Sequence, residues 1–181
     1  MPQVRYTTGA MVLHWLIAIA VIVNWRIAEA AEHAESPLRG EIMANHKALG
    51  VTILILTLLR LAWRLTHKTP PFASTVKPWE AALARTVHII FYVLLIGMPL
   101  AGWLGNSLYG QAVDVFGLFT LPALPVGEDR DMGGQIFDIH AAAGTLMLAL
   151  IVLHVVGALK HHLLDRDGNL YRMLPVGRPK A

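Results

Sequence analysis

Apolar residues run almost unbroken through four stretches of the chain, approximately 10–30, 42–65, 79–104 and 136–163. Each reaches the ~20 residues needed to cross a hydrocarbon layer about 30 Å thick. None alternates as a strand does, and lipid offers no partner to an open N–H or C=O, so the pattern predicts four transmembrane α-helices. Gly97, Pro99 and Gly102 fall inside the third stretch, where they predict a kink and close helix packing. Trp25, Arg26 and Glu29 stand where a cleaved leader would carry small residues, so the first stretch is expected to be retained. The connections 31–41 and 66–78 and the tail leave no room for a soluble domain. The longer 105–135 segment has an apolar patch at 116–124 and is expected to cap the bundle at the membrane surface. The fold class expected is all-α, an integral-membrane four-helix bundle forming one domain over residues 1–181.

Composition agrees with a lipid solvent. Hydrophobic residues make up 55% of the 181 and charged residues 15%, against about 25% charged in soluble domains; mean hydropathy is +0.53. No soluble chain of this size has a core large enough for that excess. The absence of cysteine excludes disulfide frameworks, thiolate zinc sites, iron–sulfur clusters and covalently attached haem. Charge sets an orientation. Residue 5, the 60–85 segment and the tail, including Arg178 and Lys180, hold 11 of the 15 basic residues but three of the 12 acids. By the positive-inside rule both termini are expected in the cytoplasm and the 31–41 and 105–135 segments outside.

Five histidines, His14, His46, His88, His140 and His154, lie within the predicted spans, where ionisable side chains are costly enough to be functional candidates. His46 and His140 each sit about one turn into a span that starts outside. His14 sits one turn into a span that starts inside. His154 lies 14 residues beyond His140, which is ~21 Å at the helical rise and returns to within about 40° of the same direction. Two pairs of imidazoles at two depths result, and haem iron takes two axial nitrogens from opposite faces, as a helix bundle can supply them. Gly50 and Gly144 each follow a histidine by one turn, leaving room for a flat ring against the backbone. Hydrogen-bonding histidines are the bland alternative for any one of the four. Zinc or copper would need its ligands about 2 Å from one ion, and each level offers too few.

These residues resemble a known family, the bacterial di-haem cytochrome b561 proteins. The resemblance runs through His14 with Trp15, His46 with Gly50, the run RLAWR at 60–64 and Pro70 with Pro71. It continues through Ala84, His88 and Tyr92, Pro99, Gly102 and Trp103, His140 with Gly144, His154, then Lys160, His161 and His162, and the RMLP sequence at 172–175. It implies a multi-pass protein of the bacterial inner membrane that binds two haems b, one on His14 with His154 and one on His46 with His140. It also implies electron exchange with ubiquinone, and some members oxidise superoxide. His88 is not a ligand in the family pattern; a hydrogen bond to a haem propionate or a neighbouring helix is the expected role.

Arg60 and Arg64 form an i, i+4 pair suited to haem propionates or lipid phosphate, with snorkelling to headgroups the alternative. The tryptophans near span ends suit an aromatic belt. No nucleotide loop or hydrolase triad appears, and no nucleic-acid partner is expected. The function expected is electron transfer across the membrane from superoxide outside to ubiquinone. Lys77, His161 and His162 are candidates to bind the quinone or supply protons, since histidine titrates near neutrality. The outer segments carry four basic residues against nine acids, which repels an anion; Lys47, Arg39 and Arg130 could line a local funnel to the outer haem. Two alternatives stand beside this reading: a carrier from quinol to a periplasmic protein, and a non-redox subunit moving protons or a metal ion.

Overall fold

The computed structural model describes residues 5–73 and 75–177; Arg178 and Lys180, counted above in the tail, lie outside them. Four long helices carry the chain: α1 (Thr8–Glu32), α2 (Leu38–Thr66), α3 (Pro78–Leu108) and α4 (Arg130–Lys160). All four are long and apolar enough to cross a membrane. They extend a few residues beyond the apolar stretches because polar residues can cap and continue a helix where the chain meets water. Thr7 accepts the Ala10 amide at 3.4 Å and Asp129 accepts the Met132 amide at 2.9 Å, each satisfying a donor that the first turn leaves open. Pro78 opens α3, where its missing N–H costs nothing, and the Glu80 carboxylate accepts the Lys77 amide at 2.9 Å. Pro99 lies inside α3, which continues past it to Leu108.

The large apolar side chains mostly point outward. Ile89, Val93 and Ile139 are more than 60% exposed, whereas the buried apolar set contains few large residues beyond Met11, Ile17, Ile53 and Met147. Water would penalise such a surface, but lipid does not. Helix α1 packs along α2, α3 packs along α4, and the two pairs join along α2 and α3; among the described long helices α4 packs closely on α3 alone. Glycines permit the close approaches. A Cβ at Gly9 would stand 2.6 Å from the Trp63 indole, one at Gly105 2.6 Å from the Phe137 ring, and one at Gly133 2.6 Å from the Tyr109 ring, so each aromatic side chain lies directly on a neighbouring backbone.

The segment between α3 and α4 departs from the all-helical expectation. It forms a short antiparallel hairpin, β1 (Val113–Val115) and β2 (Phe119–Leu121), in which Val113 pairs with Leu121 and Val115 with Phe119. Phe116 and Gly117 turn it with φ of 54° and 69°, and the Asp114 carboxylate accepts the Gly117 amide at 2.8 Å. Val113 and Val115 are buried with Val51 of α2, and Leu121 packs on them. The hairpin is therefore fastened to the bundle. Three-residue strands are too short to stand out from an apolar loop in sequence.

The segments around Tyr6 and Arg172 meet at the opposite end of the bundle, called the termini end below. The Tyr6 amide donates to the Arg172 carbonyl at 3.2 Å, and the Trp15 indole donates to the Met173 carbonyl at 2.8 Å. There α4 widens into a π-helical turn (His161–Asp165), followed by a 3-10 turn (Asn169–Arg172).

Candidate functional site

The histidines form two facing pairs. At the termini end the His14 ring of α1 stands 6.2 Å from the His154 ring of α4, centre to centre, with the planes at 75°. At the hairpin end the His46 ring of α2 stands 6.1 Å from the His140 ring of α4, with the planes at 78°. One metal ion bonded to both rings of a pair through Nε2 requires nearly this spacing: two bonds of about 2.0 Å and two ring radii of about 1.1 Å make ~6.2 Å. Both pairs bridge α4 to a helix on which its backbone does not pack closely, and the separation is kept over the ~21 Å of helix between His140 and His154.

At the hairpin end both rings are oriented by backbone. His46 Nδ1 lies 3.1 Å from the Asn24 carbonyl oxygen of α1, and His140 Nδ1 lies 3.0 Å from the Met98 carbonyl oxygen of α3. Since a carbonyl only accepts, each ring carries its proton on Nδ1 and presents the Nε2 lone pair. A neutral imidazole so held is the arrangement that metal-ligating histidines use. One turn after each ring the helix carries no side chain: a Cβ at Gly50 would meet only the Asn24 side-chain amide nitrogen, at 3.8 Å, and one at Gly144 only the Met98 terminal methyl, at 3.7 Å, both ordinary van der Waals contacts. Gly102 backs the site from α3, where a Cβ would lie 3.5 Å from the His140 ring. The paired rings, the fixed tautomers and the open glycine faces fit a bis-imidazole haem.

His88 of α3 brings a third ring to the termini end, its centre 5.6 Å from that of His154, and the Phe91 ring flanks His154 at the same distance. Arg60 and Arg64 line a small cleft there with Tyr6, Thr7, Ala10 and Tyr92. The Arg60 guanidinium donates to the Ala10 carbonyl at 2.9 Å, while that of Arg64 lies over the Tyr92 ring at 5.8 Å. The Tyr92 hydroxyl is buried without a partner among the described residues, a polar atom that an acidic ligand group would satisfy.

Of the three quinone candidates, Lys77 and His161 are linked through Glu80 and Lys160, and His162 contacts Tyr171. Lys77 precedes α3, and its amide is held by Glu80, which also accepts from Lys160, the neighbour of His161. His162 packs edge-on against Tyr171, at 5.5 Å. The Asp167 carboxylate beside His161 is buried, which opposes its charged form. The Asn169 amide, the Thr75 hydroxyl and the His161 ring outweigh that and hold its pKa below the ordinary value.

At the hairpin end Lys47 donates to the Gln111 side chain at 3.2 Å, tying α2 to the segment that leads into β1. Arg39 and Arg130 are exposed in the first turns of α2 and α4. The cationic groups are therefore at one end but are not gathered on one ligand. Sequence reasoning missed Asn24, Met98 and Gly102 as contributors. A lone Asn inside an apolar span was the one available signal for the first. Met98 acts through its carbonyl, to which side-chain identity gives no clue.

The sequence profile of the family described as prokaryotic cytochrome b561 matches residues 5–176. A probable superoxide oxidase, CybB, of Yersinia pestis is 28% identical over 176 residues, covering 96% of this chain and 98% of its own length. Cytochrome b561 homolog 2 of Escherichia coli strain K12 is 29% identical, covering 94% and 91%. A cytochrome b562 of Cereibacter sphaeroides is 26% identical, covering 93% and 94%.

Proposed function

The chain belongs to the prokaryotic cytochrome b561 family of haem b membrane electron carriers, and from that premise we propose that it is a superoxide:ubiquinone oxidoreductase of the bacterial inner membrane with two haems. His14 and His154 hold one haem and His46 and His140 the other; both termini lie in the cytoplasm. The observation that carries the ligand assignment is the pair of matched ring separations, 6.2 and 6.1 Å.

Haem bound at these rings supplies one-electron transfer at two depths in the membrane. The protein's own groups do the rest. The Asn24 and Met98 carbonyls hold the Nδ1–H of the hairpin-end rings and so aim Nε2, and Gly50, Gly144 and Gly102 bring no side chain to the neighbouring space. Arg60, Arg64 and the Tyr92 hydroxyl offer donors to acidic groups at the termini end. Lys47, Arg39 and Arg130 attract an anionic donor to the hairpin end. Lys77, His161 and His162 bind the quinone carbonyls or supply protons at the other end.

The relative named as a probable superoxide oxidase supports the choice of donor. The acidic excess of the hairpin end favours a different donor–acceptor pair, in which quinol gives electrons to a basic protein docked there. Superoxide generated enzymatically separates the two. The expected result is paired b-type absorption bands that superoxide reduces and added ubiquinone reoxidises. Haems that superoxide reduces no faster than free haem refute the superoxide reading and leave the quinol carrier. A colourless preparation refutes both and leaves a subunit that moves protons or a metal ion.

A further inference from the structure

The cleft at the termini end that holds Arg60 and Arg64 also takes in Lys68, and its lining comes from α1, α2 and α3. Arg60 and Arg64 stand one turn apart near the end of α2, and Lys68 follows two residues past its last residue, Thr66. The lining contains these three cations and no carboxylate. Thr7 and Ala10, the cap and first turn of α1, also line it, and the start of a helix adds partial positive charge.

The size and the donors suit a small anionic group. The cleft encloses about 30 Å³, room for about two waters and well short of the ~300 Å³ or more that a ring-sized ligand fills. The Tyr92 hydroxyl is buried with no partner among the described residues, so its proton lacks an acceptor there. The bond from the Arg60 guanidinium to the Ala10 carbonyl, at 2.9 Å, fixes that group while using one of its five donors. The Arg64 guanidinium lies over the Tyr92 ring.

Depth points to the source of the anion. Helix α2 gives way at Thr66 to the polar run His67, Lys68 and Thr69, and the Trp63 indole in the same lining donates to the Thr7 hydroxyl at 2.9 Å. Tryptophan and cations at the end of a span mark the level of lipid headgroups, and a basic pocket between membrane helices at that level suits the head of an anionic lipid. Cations that only snorkel to the surface need neither a cleft nor an unpaired hydroxyl beside them.

We propose that this cleft binds one anionic phospholipid by its phosphate, with Arg60, Arg64 and Lys68 facing the charge and the Tyr92 hydroxyl donating to a phosphate oxygen. The guanidinium groups form charge-assisted hydrogen bonds to the phosphate, and Lys68 adds a point charge. The acyl chains have the exposed apolar helix faces beside them, to which Ile89 and Val93 of α3 belong. A zwitterionic head is disfavoured, because it brings its own cation to a lining that already holds three. A lipid so held ties the α1–α2 pair to α3.

Native mass spectrometry of the full-length, haem-loaded protein in detergent tests this. Dioleoyl phosphatidylglycerol and dioleoyl phosphatidylcholine share their acyl chains and a phosphate but differ in net charge; each is titrated alone, and inorganic phosphate in excess is the third ligand. One phosphatidylglycerol should bind per chain, about tenfold or more ahead of phosphatidylcholine, since each nearby cation is worth about fivefold toward an anionic lipid. Inorganic phosphate should not displace it. Arg64→Gln combined with Lys68→Gln should weaken phosphatidylglycerol about 25-fold, and Tyr92→Phe, which removes only the hydroxyl, about tenfold. Binding of phosphatidylcholine should not change. Lys68→Gln alone, at an exposed residue beyond the helix, should weaken phosphatidylglycerol about fivefold and serves if the double variant does not fold. Equal affinity for the two lipids, or unaltered phosphatidylglycerol binding in these variants, overturns the proposal. Variants that lose haem but keep the lipid assign the cleft to the acid groups of the cofactor and overturn it as well. Displacement by inorganic phosphate shows a site for a free anion and overturns the lipid source.

Discussion

Leucine at Gly144 or Gly50 separates a space kept for a cofactor from a space kept for helix packing. In the structure a Cβ at either position makes no contact nearer than 3.7 Å, so the first atom of a side chain fits there in ordinary van der Waals contact without a backbone clash. Replacing a mid-helix glycine by leucine also gains about 0.8 to 1 kcal/mol of helix propensity. The haem-free chain should therefore be as stable as the wild type or slightly more so. A macrocycle lying against the same faces meets a different situation. Carbon atoms in contact sit about 3.5 to 4.0 Å apart, and the outer carbons of leucine extend into that layer. Haem content by pyridine haemochromogen should fall from about two per chain to about one, with the loss confined to the site of His46 and His140. Helix content and thermal unfolding of the haem-free protein, read by circular dichroism, should hold. Full haem content in both variants refutes the argument. So does a haem loss matched by an equal loss of stability without haem, because that outcome assigns the glycines to packing.

Three further perturbations address the other parts of the molecule. His140→Ala should lose one haem and leave the other low-spin, and His154→Ala should lose the other haem; two haems retained in His140→Ala show the pairing to be wrong. Charge reversal in Lys47→Glu should slow reduction by superoxide without removing haem, and raising salt should do the same as screening shortens from about 10 Å at 0.1 M to 3 Å at 1 M; a neutral donor that responds equally rules out steering. The depressed pKa of Asp167 means that it stabilises the fold at pH values above the ordinary carboxylate range, and that this contribution is lost as pH falls through that range and below. Protection of the amides in the 165–172 segment, corrected for the intrinsic exchange rate, should fall only as pH drops through the ordinary carboxylate range and below, and Asp167→Asn should show the lower protection already at neutral pH.

The four helices were legible because lipid imposes a simple code: a long apolar run must be a helix. Histidine depth was legible for the same reason, since a fixed rise of 1.5 Å turns spacing into position. What sequence did not carry was the second partner of each ring. The Asn24 and Met98 carbonyls belong to backbone that every residue shares, so no residue type marks them. The hairpin was hidden because three-residue strands resemble any apolar loop, although Val113, Asp114 and Val115 do alternate buried, exposed and buried. The acidic cluster around His161 was missed because its members come from two distant places in the chain, α3 and the turn after α4. Only the π-helical turn brings Asp165 and Asp167 to one nitrogen.

The two hairpin-end hydrogen bonds also bear on how the protein is made. His46 is anchored by the other helix of its own pair, α1, and His140 by the other helix of its pair, α3. Each helical hairpin can thus finish its half of the site as it leaves the insertion machinery, before the other half has been synthesised. On the proposed ligation, closure across the face where α4 meets α1 and α2 would depend on the haem that both halves would hold, because the helices themselves touch little there. A cell short of haem should accumulate inserted but unlatched chains exposed to membrane proteases, so that haem supply sets how much of this protein survives.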